Sequence, residues 1–392
     1  MELTRLELPG RDRAQALLAD LARRTPCVGP RPVDRTLVLY GAGKLGRLAA
    51  ELMVFLGIPI AYAIDRSPPA DGLLLGRIPV YLPEEAPVAD HTSHLVAVCV
   101  VLAPYEPIRT SLTEMGWRHV LPFYDVAEAY AGRVPLNNGW FAGPLDEEDQ
   151  ARIGQVLDGW DDDCSRAAHL QFLAWRVHRE EWNFDGAKVD AGNRYFIPPL
   201  LRTLGTEEYF LDAGAWHGVV SQRFLSETGG RFKKIVAVEA DSLNVRHLRA
   251  WMATLSPDVA ARIEVRELAL AEADGTESFA HGHDLASRLM AGVSGRVVAC
   301  SLDGLDIPFT CAKFHLEGGE LSALRGAVHT LVTQRPVMAV TVYHNRDGLW
   351  RIPEYLMNLL PDYRFLFRMH AWCGTGAVLY ALPRERMNET LE

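Results

Sequence analysis

The sequence lacks several features that mark particular classes of protein. Its six cysteines contain no CxxC pair, so reduced thiols of the kind found in the cytosol fit better than a disulfide framework. The longest apolar run, residues 95–103, is about half as long as a helix that crosses a bilayer. The N-terminal segment mixes acidic and basic residues without an apolar stretch, which is atypical of a secretory signal. We therefore expect a cytoplasmic protein with no membrane partner.

The chain also has fewer basic than acidic residues, which gives a formal net charge of −10. The phosphates of a nucleic acid would be repelled by such a surface, so no nucleic-acid partner is expected. A composition of 48% hydrophobic and 23% charged residues is that of a globular protein. At 392 residues the chain exceeds one ordinary core and predicts two domains. A small-molecule substrate fits these properties best, and an oligomer is compatible with them.

Two parts of the chain alternate short apolar runs with helical stretches, the pattern of parallel sheets covered by helices. We predict an α/β protein with two doubly wound, Rossmann-like domains joined by a helical bridge. The predicted parts are an N-terminal helical arm (1–30), a Rossmann-like domain of nucleotide-binding type (31–135), the bridge (136–200) and a C-terminal domain (201–392).

The C-terminal domain is predicted to hold one seven-stranded sheet of the class I methyltransferase type. Its first five strands are separated by helices or loops, and the last two are joined by a short turn. The strand candidates are Tyr209–Asp212, Lys234–Glu239, Arg262–Glu267, Cys311–Leu316, Pro336–Tyr343, Tyr363–His370 and Ala377–Leu382.

The segment EYFLDAGAWHG has the sharpest pattern in the chain. A hydrophobic strand ends at Asp212 and runs into Gly214 and Gly218, where the backbone can turn tightly and a ligand can lie against it. The next strand ends at Glu239, whose carboxylate can accept hydrogen bonds from both hydroxyls of a ribose. The third strand runs into two apolar residues placed to flank an adenine. These features predict an S-adenosylmethionine site in which Asp212 accepts a hydrogen bond from the amino group. The predicted site consists of Asp212, Gly214, Trp216, Gly218, Glu239, Leu268 and Ala269.

From about residue 165 to residue 383 the chain resembles the FkbM-type methyltransferases, which have the class I fold and methylate hydroxyl oxygens of sugars or polyketide-like metabolites. The matching segments are FLDAGAWHG, VAVEAD, ALAEADG, SLDGLD, KFHLEGGELSALRGA, VYHNRDGLWRIP, YRFLFRMH and VLYALP, in the family's order. The resemblance implies S-adenosylmethionine as the methyl donor. Two positions depart from the family: Trp216 stands where it usually has Asn, and His315 where it usually has Asp.

Polar residues gather at the carboxyl ends of three predicted strands, the edge where open α/β sheets bind ligands. His315 and Glu317 share one face if the two-residue period of the fourth strand continues, and His344 and His370 end the fifth and sixth. We predict these four residues to be catalytic. Either His315 or Glu317 would be the base, since an ordinary imidazole with a pKa near 6.5 can accept a proton at pH 7.5. A hydrogen-bonded structural role is the open alternative, above all for His370.

The same four side chains offer imidazole and carboxylate donors that suit several divalent ions. Nothing in the sequence determines the distances between them, so no bound metal is predicted.

A second glycine motif, VLYGAGKLG, lies between a strand and a helix near the N-terminus. Gly41, Gly43 and Gly46 followed by Asp65 at the end of the next strand satisfy the dinucleotide fingerprint, which predicts a nucleotide or NAD. The alternative is that these glycines only close a tight turn. Because the two glycine motifs belong to separate sheets, we expect their sites to be energetically independent.

The function favoured by these patterns is S-adenosylmethionine-dependent O-methylation of a sugar or secondary metabolite. Two alternatives stay open: a nucleotide- or nucleotide-sugar-dependent enzyme that acts through the N-terminal domain, and a non-catalytic binding protein with a methyltransferase fold.

Overall fold

The computed structural model describes residues 3–87, 91–134, 136–282, 287–290 and 292–387. Pro135, the predicted end of the first domain, lies outside the described residues, as do the first two residues of the predicted arm and the last five of the chain. Within the described ranges, no helix is both long and apolar enough to cross a membrane.

The first third of the chain forms a six-stranded sheet with helices, preceded by a short strand and a helix. Its elements are β1 (Thr4–Leu6), α1 (Arg11–Arg23), β2 (Thr36–Tyr40), α2 (Lys44–Phe55), β3 (Ile60–Ile64), β4 (Leu73–Leu74), β5 (Ile78–Tyr81), β6 (His94–Val98), α3 (Tyr105–Glu114), β7 (His119–Pro122) and α4 (Phe123–Glu128). The strand order is β4-β5-β3-β2-β6-β7, and only β4 runs antiparallel to its neighbour. The predicted α/β class is confirmed here, and the apolar run at 95–103 contains the strand β6, which ends at Val98.

The predicted helical bridge contains two long helices, a short strand and a short helix. These are α5 (Glu147–Gly159), α6 (Asp163–His178), β8 (Trp182–Phe184) and α7 (Pro198–Leu201). Asp146 and Asp162 cap α5 and α6 by accepting hydrogen bonds from backbone N–H groups in the first turn. β8 pairs in parallel with β1, a pairing that the sequence patterns did not predict.

Among the described residues, the C-terminal part contains a further eleven strands and seven α-helices. They are β9 (Tyr209–Ala213), α8 (Val219–Glu227), β10 (Lys234–Glu239), α9 (Ser242–Met252), α10 (Pro257–Ala260), β11 (Ile263–Glu267), β12 (Ala269–Leu270), β13 (Gly275–Ala280), β14 (Arg288–Leu289), β15 (Arg296–Cys300), α11 (Leu302–Leu305), β16 (Cys311–Phe314), α12 (Glu320–Arg325), α13 (Val328–Gln334), β17 (Val337–Thr341), α14 (Arg351–Leu359), β18 (Tyr363–Met369) and β19 (Ala377–Pro383).

All seven predicted strands lie in one sheet, in the order β11-β10-β9-β16-β17-β19-β18. The first five are parallel, whereas β19 runs antiparallel to both of its neighbours. The fourth strand is shorter than expected, since it ends at Phe314 rather than at Leu316. A separate four-stranded sheet, β12-β15-β13-β14, occupies a stretch for which no sheet was predicted.

Helix α6 packs on the C-terminal sheet and shares its core. Its apolar residues belong to the same buried cluster as side chains of β18 and β19. The buried Arg176 of α6 donates hydrogen bonds to four backbone carbonyls, among them those of Tyr343 and Gly374. The helix is therefore an integral layer of the C-terminal unit.

Candidate active site

A cleft lies at the carboxyl ends of β9, β10, β11 and β16, the edge at which ligands bind in open α/β sheets. The empty space within it is about 620 Å³ when its open mouth is included. The predicted site residues that line it are Gly214, Trp216, Glu239, Leu268, Ala269, His315 and Glu317. Other residues of its wall were not predicted from the sequence, among them Asn244, Leu270, Phe279, Ser287 and Arg288.

Glu239 at the end of β10 is almost completely buried and already holds two backbone groups. One carboxylate oxygen accepts a hydrogen bond from Trp216 N at 2.8 Å, and the other accepts one from Asp241 N at 2.9 Å. Burial raises the pKa of Glu239, and these hydrogen bonds oppose the rise. Each carboxylate oxygen has more than one lone pair, so the carboxylate can accept further hydrogen bonds, one of which comes from the side chain of Asn244.

The glycine loop after β9 is shaped by close packing. Gly214 has a φ of +76°, and a Cβ there would lie 1.9 Å from the carbonyl oxygen of His315. The requirement for glycine thus comes from the neighbouring segment rather than only from a ligand. Trp216 also has a positive φ, which costs a non-glycine residue about 1–2 kcal/mol, and its hydrogen bond to Glu239 helps to hold it there.

Asp212 and Gly218 do not line the cleft, which corrects the roles predicted for them. Asp212 is fully buried and accepts hydrogen bonds from Ser221 Oγ at 2.7 Å and Lys313 Nζ at 3.0 Å. Lys313 also donates to the carbonyl of Gly214 at 2.6 Å, so this ion pair fastens the glycine loop to β16. Gly218 begins α8 with a φ of +83°, and a Cβ there would collide with Trp251.

At the other end of the cleft, a cluster of His315, Glu317 and His344 has formed. His315 Nε2 lies 3.0 Å from one Glu317 oxygen, and His344 Nδ1 lies 3.3 Å from the other. The strand period does not bring them together, because β16 ends at Phe314 and Glu317 has a φ of +50°. A turn after the strand therefore aims Glu317 between the two imidazoles.

Two tyrosines, for which no catalytic role was predicted, surround His315. The hydroxyl of Tyr195 lies 2.8 Å from His315 Nδ1, and that of Tyr343 lies 3.2 Å from His315 Nε2. Arg194 donates a hydrogen bond to the Tyr343 hydroxyl at 2.6 Å. These residues come from segments far apart in the chain, so no local motif links them to His315.

Burial dominates the electrostatics of the cluster. It raises the pKa of Glu317 to about 8, with repulsion from Glu320 as the next cause. It lowers the pKa of His315 and His344 well below the ordinary value, with the charge of Arg194 adding to the effect. The three groups are therefore mostly uncharged at neutral pH, and the ordinary imidazole titration expected for His315 is wrong.

His370 lies apart from the cluster and has a structural place in the fold. Its Nδ1 is hydrogen-bonded to the carbonyl of Asp190, and its Nε2 lies 2.8 Å from the hydroxyl of Tyr380. The Tyr380 hydroxyl in turn accepts a hydrogen bond from Tyr195 N at 3.0 Å. Both ring nitrogens are thus engaged, and burial lowers the pKa of His370 to about 4. The prediction of a catalytic His370 is not supported.

Among solved structures, the chain is similar over nearly its whole length to methyltransferase FkbM from Methylobacillus flagellatus KT. The two share 19% sequence identity, the match covers 95% of this chain and 94% of the other, and the TM-score is 0.60. The chain has a methyltransferase fold. A precorrin-6y C5,15-methyltransferase from Geobacter metallireducens shares 17% sequence identity, and the match covers 47% of this chain and 85% of the other, with a TM-score of only 0.29. No protein-family model and no curated protein matches the chain.

The N-terminal glycine loop is also built by internal contacts. Both oxygens of Asp65, the predicted ribose ligand, already accept backbone hydrogen bonds, from Ala42 N at 2.6 Å and Ser67 N at 2.7 Å. A Cβ on Gly46 would lie 2.0 Å from the carbonyl of Gly41, so this glycine lets α2 pack against the loop. These contacts are those expected if the glycines only close a tight turn. Nucleotide binding at this loop stays a prediction.

The two glycine loops meet. Lys44, the first residue of α2, places its ammonium 4.0 Å from the centre of the Trp216 ring, a cation–π contact. Trp216 lines the cleft, so the N-terminal domain reaches the candidate donor site through one side chain. This contact gives the two loops a direct route for coupling, whereas their energetic independence stays a prediction.

Proposed function

We propose that the protein is an S-adenosylmethionine-dependent methyltransferase that methylates a hydroxyl oxygen of a small molecule, such as a sugar or secondary metabolite. The observation that carries the proposal is a single cleft lined by Glu239 and apolar residues and also by His315 and Glu317, which form a cluster with the buried His344. Such a cleft can hold a nucleoside-type donor and a polar acceptor side by side.

The residues present fit the donor. The cleft-side lone pairs of Glu239 would accept hydrogen bonds from the ribose hydroxyls, and the apolar pair Leu268 and Ala269 would contact the adenine. The Trp216 loop lies where the methionine part would reach from the ribose towards the cluster. When bound, S-adenosylmethionine supplies an electrophilic methyl group on a positively charged sulfur.

The cluster is placed to act on the acceptor. In an in-line displacement, the acceptor oxygen forms its bond to the methyl carbon while the carbon–sulfur bond breaks and its electron pair stays on sulfur. Most of the catalysis then comes from holding the two reactants in line. The uncharged His315 would accept the hydroxyl proton at neutral pH, and Glu317 would do so above its pKa of about 8. A positioned base of this kind contributes roughly 10²–10⁴-fold in rate.

The proposal is tested by calorimetric titration of the full-length protein with S-adenosylmethionine, its demethylated product, NAD and a UDP-sugar. We expect binding of the first two with dissociation constants in the micromolar range. The full chain is needed because α6 is part of the core of the C-terminal sheet. Binding of NAD or the UDP-sugar without binding of either methyl-donor compound would overturn the proposal.

Transfer itself is tested by incubating the protein with S-adenosylmethionine and a panel of sugars and hydroxylated metabolites. Mass spectrometry would then follow a gain of one methyl group in the acceptor and the appearance of the demethylated donor.

A further inference from the structure

We propose that His315, Glu317 and His344 together bind one divalent transition-metal ion at the acceptor end of the cleft. One ligand atom from each residue lies within 4.8 Å of the other two. Ligands at about 2.0–2.2 Å from a zinc-sized ion are on the order of 3–4.4 Å from one another, so small side-chain rotations complete the site.

His344 is the strongest indication of a missing ligand. It is 3% exposed, and neither of its ring nitrogens has a hydrogen-bond partner among the described residues. Its Nδ1 lies 3.3 Å from a Glu317 oxygen, but the contact lacks hydrogen-bond geometry. Burying a polar group without a partner costs about 1–3 kcal/mol, whereas a bond from an imidazole nitrogen to a metal would satisfy it.

His315 is oriented as a ligand by its neighbours. With its Nδ1–H donated to the hydroxyl of Tyr195, its Nε2 presents a lone pair towards Glu317. Metal-binding histidines are commonly held in this way through their second ring nitrogen. The hydroxyl of Tyr343 at 3.2 Å competes for the same Nε2, so it would have to turn away when the ion binds.

The charged groups around the cluster act both against and in favour of a bound metal ion. Without an ion, the 3.0 Å contact between His315 Nε2 and Glu317 has no hydrogen bond in it, and the nearby Arg194, Lys313 and Arg288 disfavour a further positive charge. In favour of the ion stand the carboxylates of Glu317 and Glu320 and a donor set of two imidazoles and one carboxylate. That set selects zinc, iron, cobalt or nickel over magnesium or calcium, which prefer oxygen.

Three protein ligands would leave coordination positions open, as catalytic rather than structural metal sites do. An ion here would bind the acceptor hydroxyl and make its proton easier to remove. This role in the reaction rests on the proposed function, whereas binding of the ion does not.

The test uses full-length protein freed of metal by a chelator and titrated with Co²⁺, Zn²⁺ and Mg²⁺. We expect one Co²⁺ or Zn²⁺ per chain, visible absorption bands from bound Co²⁺, and no comparable binding of Mg²⁺. His344→Ala and Glu317→Gln should each weaken Co²⁺ binding at least about tenfold. The exposed His329 provides the control, since His329→Ala should leave Co²⁺ binding unchanged.

Thermal unfolding of each variant shows whether it is folded, and His344→Gln replaces His344→Ala if the latter is not. The inference is overturned if the wild type binds no stoichiometric metal ion. It is also overturned if metal binding is unchanged both in a folded His344 variant and in Glu317→Gln. Metal binding without methyl transfer to any acceptor would count against the proposed function alone. Methyl transfer by chelator-treated protein that binds no metal would count against the metal site alone.

Discussion

Replacement of Glu239 is the sharpest test of the donor end of the cleft. Its carboxylate oxygens accept backbone hydrogen bonds at 2.8 and 2.9 Å, and the residue lines the cleft. Glu239→Ala removes a charged acceptor for the ribose, and hydrogen bonds to charged groups contribute about 1.5–3 kcal/mol. We therefore expect the dissociation constant for S-adenosylmethionine to rise roughly 10- to 150-fold. Glu239→Gln keeps one oxygen and should show a smaller loss.

Calorimetry on folded variants measures this effect, with thermal unfolding as the check on folding. Glu267 is the matched control, because it is also a glutamate at the end of the adjacent strand but is exposed and does not line the cleft. Glu267→Ala should leave the affinity unchanged. Unchanged affinity in a folded Glu239→Ala variant, or an equal loss in both variants, would refute the assignment of Glu239 to the donor.

Three further predictions test other contacts. Lys44→Met should weaken donor binding about two- to fivefold in calorimetry, because an exposed cation–π contact contributes about 0.5–1 kcal/mol; no change would mean that Lys44 does not support the Trp216 loop. Arg176→Met should lower the free energy of unfolding in denaturant titration by at least about 2 kcal/mol, since it leaves the buried Gly374 carbonyl and the partly buried Asn138 carbonyl without their donor. The carbonyls of Tyr343 and Trp140 keep hydrogen bonds from other side chains, and a loss under about 1 kcal/mol would contradict this reasoning. Gly214→Ala should lower the free energy of unfolding by about 2–5 kcal/mol in the same assay, because its Cβ would collide with the His315 carbonyl. Gly43→Ala should be nearly neutral, since a Cβ there meets nothing within 4 Å. Equal losses in the two variants would show that the His315 carbonyl moves aside.

Local hydrophobic pattern was sufficient to predict most of the strands of the C-terminal sheet. Apolar runs bounded by turns located all seven strands to within a few residues, because buried parallel strands are nearly continuous in hydrophobicity. The strand-end position of Glu239 likewise followed from the chain alone, since carboxyl ends of parallel strands share one edge. The strands β12 and β14 escaped prediction because two-residue strands carry little periodicity, and β13 because its first half is polar and exposed.

The chemistry of individual residues was less accessible to sequence reasoning. Asp212 and Glu239 both end strands in the sequence, yet Asp212 is buried against Lys313 while Glu239 borders the cleft. Their difference depends on a lysine a hundred positions away, which no local window contains.

The sequence by itself therefore determined the α/β class, the seven-stranded sheet and the edge at which the cleft opens, because these follow from local hydrophobic patterns and turns. Only the tertiary structure decided that Glu317 lies between His315 and His344, that His370 is tied to Tyr380, and that Lys44 reaches Trp216. Each of these contacts joins side chains whose separation depends on how distant segments pack, and on a turn that ends β16 earlier than its apolar pattern indicates.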